Sequence, residues 1–159
     1  MVTATVTVDD YIAAHRLHYQ RRTKLLYLVW SVLLAIGIGI AILELRMWAP
    51  IVILGGLGAL LGHWWDDRVG LPNKVRKLYG QFKGISEPTE ISWSAEFVEA
   101  RGPNGQGKRK WRDYVRFKEN DEVFLLYITD QLWEAFPKRC FNSAQLEEFR
   151  SHAMAAGET

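Results

Sequence analysis

Gly102-Pro103-Asn104-Gly105-Gln106-Gly107-Lys108 has the GxxxxGK spacing of a loop that cradles phosphates. The next residue is Arg109, not the Ser or Thr that would hold magnesium. The residues after it alternate as a strand, whereas a phosphate loop must open a helix, so the stretch reads as a hairpin loop. His15 and His18, three positions apart, can share a helical face, but two histidines without a third ligand make a poor metal site. His63 with Asp66 and Asp67 is a second metal-like group, better read as a helix end meeting water. Cys140 has Lys138 and Arg139 beside it, the cationic neighbours that a reactive cysteine needs. No histidine is placed by sequence to activate it, so it reads as a structural cysteine. No serine sits in a nucleophile-elbow context. The chain is expected to be non-enzymatic, with no cofactor and no metal.

What remains is charge. Lys108, Arg109, Lys110, Arg112 and Arg116 fall on or beside one expected strand. Each basic group near an anionic leaflet contributes ~1 kcal/mol of attraction, so the expectation is either salt-sensitive binding to anionic vesicles or an ordinary solvated strand face. Lys138 and Arg139 occupy the entry to a helix starting at Ser143. The unpaired N–H groups and positive dipole end of that helix, with two cations beside them, suit an anion or a partner's carboxylate. The competing reading pairs Lys138 and Arg139 with nearby acids such as Glu134, Glu147 or Glu148, making the motif a turn.

These residues need elements to hold them. The organising stretch is Leu25 to Trp65. Leu25–Leu43 and Met47–Trp65 carry no Asp, Glu, Lys or Arg, and each is about 19 residues, near the ~30 Å thickness of hydrocarbon. Glu44, Leu45 and Arg46 join them, so the expectation is an antiparallel two-helix transmembrane hairpin. Pro50 falls in the first turn of the second helix, where its missing N–H costs nothing. Arg16, Arg21, Arg22 and Lys24 precede the first run, and Arg68, Lys74, Arg76 and Lys77 follow the second. The positive-inside rule puts both termini in the cytoplasm of a multi-pass inner-membrane protein. Tyr27, Trp30, Trp64 and Trp65 form the inner aromatic belt and Trp48 marks the outer one. Gly55, Gly58 and Gly62 offer a small-residue face, for packing on the first helix through Gly37 and Gly39 or for a homo-oligomer. No ionisable residue lies deep in either run, which argues against an ion path.

Outside the hairpin the chain is polar, with a formal net charge of +2. A single cysteine excludes an internal disulfide and fits a reducing compartment. No cleavable signal peptide is read at the N-terminus. Val2–Val8 alternates as a strand and must pair with a sheet beyond the hairpin, because a lone strand is unstable. Thr7 and Asp10 resemble a capping box for a helix running on into the first span. After a break at Gly70-Leu71-Pro72, a short helix from Asn73 through Tyr79 is expected, then a linker from Gly84 to Pro88. Strands are expected at Ile91–Ala100, Lys110–Lys118, Val123–Thr129 and Leu132–Pro137, with Arg101–Gly107 a turn. In the second of these, Trp111, Val115 and Phe117 would point inward and Arg112, Tyr114 and Arg116 outward. A terminal helix from Ser143 to about Met154 starts with Asn142 and Gln145 as its capping box and Phe141 and Leu146 as its hydrophobic staple. The expected division is 1–24, strand and interfacial helix; 25–65, hairpin; 66–89, juxtamembrane helix and linker; 90–154, cytoplasmic domain.

The run Lys110-Trp111-Arg112-Asp113-Tyr114, the turn with Glu119-Asn120, the strand Phe124-Leu125-Leu126-Tyr127 and Phe136-Pro137-Lys138-Arg139-Cys140-Phe141 before Glu148-Phe149-Arg150 together resemble the YcxB-like family of bacterial membrane proteins. That family's PKRxF stretch is matched at Pro137, Lys138, Arg139 and Phe141, and the resemblance covers about Glu90 to Arg150. Cys140 stands where a small residue, often alanine, is expected. The resemblance implies two preceding spans and a small β-rich cytoplasmic domain similar to pleckstrin-homology-like folds, and it implies no activity. The fold class is therefore an α+β membrane protein: a transmembrane hairpin, a small antiparallel sheet domain and a C-terminal helix. The expected function is a membrane-anchored binding or regulatory module. Its partners are the bilayer and an anionic headgroup or a protein, not nucleic acid. Alternatives are an oligomeric structural membrane component or an immunity-type protein that neutralises a toxin.

Overall fold

A computed structural model describes residues 1–42, 49–81, 84 and 87–157. Among these described residues, seven strands and four α-helices follow in the order β1 (Val2–Ala4), α1 (Val8–Ile42), α2 (Ala49–Trp65), α3 (Leu71–Gln81), β2 (Thr89–Trp93), β3 (Phe97–Gly102), β4 (Gly105–Lys110), β5 (Arg116–Glu119), β6 (Val123–Tyr127), β7 (Trp133–Pro137) and α4 (Ser143–Gly157). The class is α+β, with two antiparallel sheets and a C-terminal helix. The chain falls into two compact units: Met1–His18 with Val75–Thr159, and Tyr19–Lys74.

In the first unit, β1 pairs antiparallel with β2, Val2 opposite Ile91, so the N-terminal strand joins a sheet built from the far side of the apolar segment. That sheet has the order β1-β2-β3-β4. The second has the order β5-β6-β7, with β6 central and all five of its residues buried. The alternation along β6 sorts them. Phe124 and Leu126 join a core drawn from both sheets and from Phe149 and Ala153 of α4. Val123, Leu125 and Tyr127 meet Ala13, Ala14 and Leu17 of α1 on the opposite face. The start of α1 is capped as expected: Thr7 N–H donates to the Asp10 carboxylate at 2.8 Å, and Asp10 N–H donates to the Thr7 hydroxyl at 3.3 Å. At α4 the box closes through Asn142 and Gln145, at 2.9 and 2.8 Å.

Two expected strands are each divided. Ile91–Ala100 becomes β2 and β3, because the Ser94 hydroxyl accepts from Glu96 N–H and Phe97 N–H and turns the chain. Lys110–Lys118 becomes β4, a 3-10 turn at Trp111–Asp113 and β5. The inserted turn shifts the inward–outward phase. Tyr114, expected outside, is 2% exposed, and Val115, expected inside, is 60% exposed. The Arg101–Gly107 turn shrinks to Pro103-Asn104 between the paired glycines Gly102 and Gly105, and Gly105 takes φ +154°, which favours glycine.

In the second unit, α1 is a single helix that is long and apolar enough, by length and composition, to cross a membrane. Two such helices were expected; α2 has 17 residues as described and falls short of that length. The joining turn at Glu44–Arg46 and the outer Trp48 lie outside the described residues, as does part of the Gly84–Pro88 linker. α1 and α2 touch in an antiparallel register: Tyr27 meets His63, with ring centroids 4.6 Å apart, and a side chain at Gly56 would meet Leu34. A Cβ on Gly37 would sit 2.9 Å from Val52, so this contact needs glycine. No break follows α2. Instead Asp66–Gly70 form a π-helical turn leading into α3, and a Cβ on Gly70 would clash with Asp66 at 2.3 Å.

Candidate functional site

The two groups of basic residues that the sequence offers, one on a strand and one before the last helix, meet different surroundings in the fold. Lys138 and Arg139 lie in a 3-10 turn between β7 and α4. Lys138 Nζ donates to Glu119 at 2.7 Å and sits over the Phe124 ring. Arg150, from α4, donates to the same Glu119 at 2.9 Å. Burial alone would raise the Glu119 pKa, but hydrogen bonds from Arg150 and Lys138 outweigh it and hold it below the usual carboxylate value. Arg139 reaches across the sequence to Asp10, at 2.7 Å, and to the Thr5 carbonyl at 2.5 Å. Asp10 behaves as Glu119 does: desolvation pushes its pKa up, and hydrogen bonds from Arg139 and Thr7 bring it lower than normal. This pair therefore fastens the turn before α4 to β5 and to the start of α1. The acids that hold it are Glu119 and Asp10, not the Glu134, Glu147 and Glu148 that lie nearer in sequence. The first turn of α4 is meanwhile capped by Asn142, which leaves an anion little to bind there.

The strand-borne cations differ among themselves. Arg109 lies 3.7 Å from Glu134, and Glu134 accepts from the Tyr114 hydroxyl at 2.5 Å. Burial first, then Glu134, drives the Tyr114 pKa far above the ordinary phenol value. This group lines a cavity of about 110 Å³ together with Val98, Ala100 and Phe136. Lys108 Nζ lies 3.5 Å from the Phe97 ring centroid. Arg116 faces Asp130 at 3.5 Å and covers the Tyr127 ring.

Lys110 and Arg112 alone among the predicted cations have neither an ion pair nor an aromatic ring beneath them among the described residues. Both are exposed, and both line an open depression of about 500 Å³ with Ala95, Glu96, Trp111, His152 and Ala155. Its floor is held in place: Trp111 Nε1 donates to the Ser94 carbonyl at 2.8 Å, and the His152 ring stacks on Trp111 at 5.8 Å. The arrangement can receive an anion. It holds no nucleophile–base pair. His152 was missed by the sequence reading, although its position three residues after Phe149 on an amphipathic helix gave a signal.

His15 and His18 stand on the face of α1 that meets the second sheet. His15 packs edge-on to Tyr11 and Trp133, and His18 Nδ1 lies 3.0 Å from the Tyr127 hydroxyl. Burial lowers both histidine pKa values; His18 further lowers His15, and Lys118 and Arg116 further lower His18. Among the described residues no three His, Cys, Asp or Glu side chains gather as a metal site. Gly55, Gly58 and Gly62 are exposed, with nothing within 4 Å of where a Cβ would stand. On α2 the helix contact falls instead to Gly56, while Gly37 of α1 lies at the contact as expected. Gly39 also stands clear.

No curated protein matches the chain, and no solved structure does. Residues 93–153, which contain β3 to β7 and most of α4, match the family model described as YcxB-like protein, and the chain carries a YcxB-like domain over that stretch.

Proposed function

We propose that the protein is a membrane-anchored, non-enzymatic binding module of the inner membrane, with two spans, both termini in the cytoplasm and a PH-like domain that meets an anionic partner. The observation that carries the anchor is uncovered apolar surface. Leu25, Leu28, Ile36 and Ile42 on α1, and Leu54 and Leu61 on α2, are between 50% and 74% exposed. A soluble core helix would bury such residues, and a contiguous apolar surface of this kind marks a membrane or protein contact. The antiparallel register of α1 and α2 supports two spans, and the basic residues that flank both apolar runs support the orientation. The two antiparallel sheets and the C-terminal helix that follows them support the PH-like reading. The depression at Lys110 and Arg112 supports an anionic ligand, a headgroup or an acidic segment of a partner.

Cysteine accessibility tests the anchor. In a Cys140→Ser background, a cysteine replacing Leu54 should resist a water-soluble maleimide in intact membranes. A cysteine replacing Asn104 should react only when the cytoplasmic side is opened. Rapid reaction at Leu54, or reaction of Asn104 from the outside, would sink the reading. A second reading, an oligomeric membrane component, is favoured by Gly55, Gly58 and Gly62, which leave one face of α2 open to close approach. Cross-linking of cysteines placed at Gly58 in membranes would favour it, and an uncross-linked chain would not.

A further inference from the structure

The end of the second sheet where α1 departs carries a feature that the core does not need. Arg116, Tyr127 and Trp133 form one cross-strand row. One step beyond, Val115 N–H donates to the Tyr127 carbonyl at 2.8 Å, and Ile128 N–H donates to the Leu132 carbonyl at 2.9 Å. Val115, Ile128 and Leu132 therefore make the next row, and side chains in one row share a face. Ile128 packs on the core, while Val115 is 60% and Leu132 56% exposed. Single exposed apolar residues are ordinary. Two on adjacent strands, level with one another at the rim of a sheet, form a patch.

The path of α1 gives that rim a direction. Asp10 of α1 binds Arg139, beyond the far end of β7. Ala13, Ala14 and Leu17 then cross Val123, Leu125 and Tyr127, and His18 reaches the Tyr127 hydroxyl. The helix thus runs along the sheet toward the Val115–Leu132 rim and leaves this unit there. The apolar run begins at Leu25, seven positions after His18, and a chain that long reaches at most about 25 Å. The rim is flanked by cations. Arg116 follows Val115, and its partner Asp130 is 91% exposed at 3.5 Å, a pair too weak to hold the guanidinium from other anions. Lys118 lies on the same strand and donates to the His18 carbonyl.

We infer that this rim is the face the domain lays on its own bilayer: Val115 and Leu132 enter the boundary between headgroups and acyl chains, and Arg116 meets the lipid phosphates. The inference rests on the anchored-module reading and adds to it a fixed orientation of the domain on the membrane. Asp130 opposes it electrostatically, so Asp130→Asn should draw the rim closer.

Spin-label depth measurements separate this inference from the anchor itself. The full chain, with Cys140→Ser, is placed in nanodiscs of phosphatidylcholine and phosphatidylglycerol. Nitroxides are attached in turn to cysteines replacing Leu132, Asn104 and Leu54. The oxygen-to-nickel collision ratio at Leu132 should exceed that at Asn104 at least about threefold, as for a side chain in the interfacial zone. A water-like ratio at Leu132 with a lipid-like ratio at Leu54 overturns this inference and leaves the anchor standing. A water-like ratio at Leu54 overturns both. Because a label could itself draw position 132 toward lipid, a second measurement places it at Val115 with and without Leu132→Asp. Loss of the depth signal on adding the aspartate supports a shared lipid-facing row, and an unchanged signal overturns it.

Discussion

Lys138-Arg139 and Lys110 with Arg112 are similar groups in the sequence: two cations beside an aromatic residue, each near the end of a strand. In the fold they have opposite circumstances. Lys138 and Arg139 are locked between β5, α1 and α4 through Glu119 and Asp10. Lys110 and Arg112 line an open depression. The difference lies in what the chain brings to them from far away. Asp10 is 129 positions from Arg139 and Glu119 is 19 from Lys138, and neither separation shows in local charge patterning. A basic pair beside a helix start is therefore no sign of an anion site until the acids of the whole domain have been placed.

If the comparison holds, the largest effect comes from Asp10→Ala. It removes the carboxylate half of the α1 capping box and the partner of Arg139 together, while the Thr7 hydroxyl still accepts the N–H of residue 10. Losing a cap costs ~1 kcal/mol and breaking a partly buried pair costs more, so the loss should be about 3 kcal/mol. Chemical denaturation of the full chain in neutral detergent, followed by circular dichroism, measures it. A loss under about 1 kcal/mol would show that Arg139 simply turns to solvent. Next comes Glu119→Gln, which leaves Lys138 and Arg150 without their shared carboxylate and should cost about 2 kcal/mol. Lys138→Ala should cost less than Glu119→Gln, because Arg150 keeps Glu119 paired. The double variant Lys138→Ala, Arg139→Ala should lower the melting temperature and lose no specific ligand.

Much of the β-rich unit could be read from residue types. Thr7 and Asp10, and Asn142 and Gln145, carry capping chemistry within three positions, and both boxes form. β6 is five apolar residues in a row, which fits a strand covered on both faces, and it is central. The pairing of β1 followed from an apolar face that needed cover. The divided strands were not legible, because Ser94 and the Trp111–Asp113 turn interrupt otherwise regular alternation. A serine whose hydroxyl turns the chain looks, in sequence, like a polar outward position. The open depression depended on those turns, since the first ends β2 beside Ala95 and the second carries Trp111 and Arg112. The glycine face was placed on Gly58 and Gly62 with Gly55, whereas Gly56 is the α2 glycine that meets α1, and a helix face turns 100° per residue.

Acid should weaken the β-rich unit in two stages, and the first sharpens the contrast between cations in a core and cations in solvent. His15 and His18 have folded pKa values below the usual 6.5, chiefly through burial. The unfolded chain therefore binds protons first as pH falls through about 6.5, and stability declines from there until the folded values are reached. Asp10 and Glu119 also have lowered values, so their contribution is present above the ordinary carboxylate range and is lost as pH falls through it. His15→Gln with His18→Gln should flatten the first stage and leave the second. A first stage that survives the double variant would assign it to other groups.

The smallest stability effect belongs to Lys110→Ala with Arg112→Ala, and that is the sharpest test of the comparison. Neither side chain has an ion pair to lose among the described residues, and both are exposed, so the change should stay within about 0.5 kcal/mol. One structural role competes. Both lie near the later turns of α4, where cations can favour helix carbonyls by a few tenths of a kcal/mol. That contribution would appear as a slight fall in melting temperature in low salt, removed by 0.5 M salt. The binding role has a different mark. Titration of inorganic phosphate or of a short-chain phosphatidylglycerol into the detergent-solubilised chain should lose affinity about tenfold in the double variant, on the scale of two charge-assisted hydrogen bonds. Glu96→Gln, which removes the one acid lining the depression, should move affinity the other way. A double variant that binds as the unaltered chain does would place Lys110 and Arg112 with ordinary solvated charges. The distinction between bound and open cations would then carry no functional meaning.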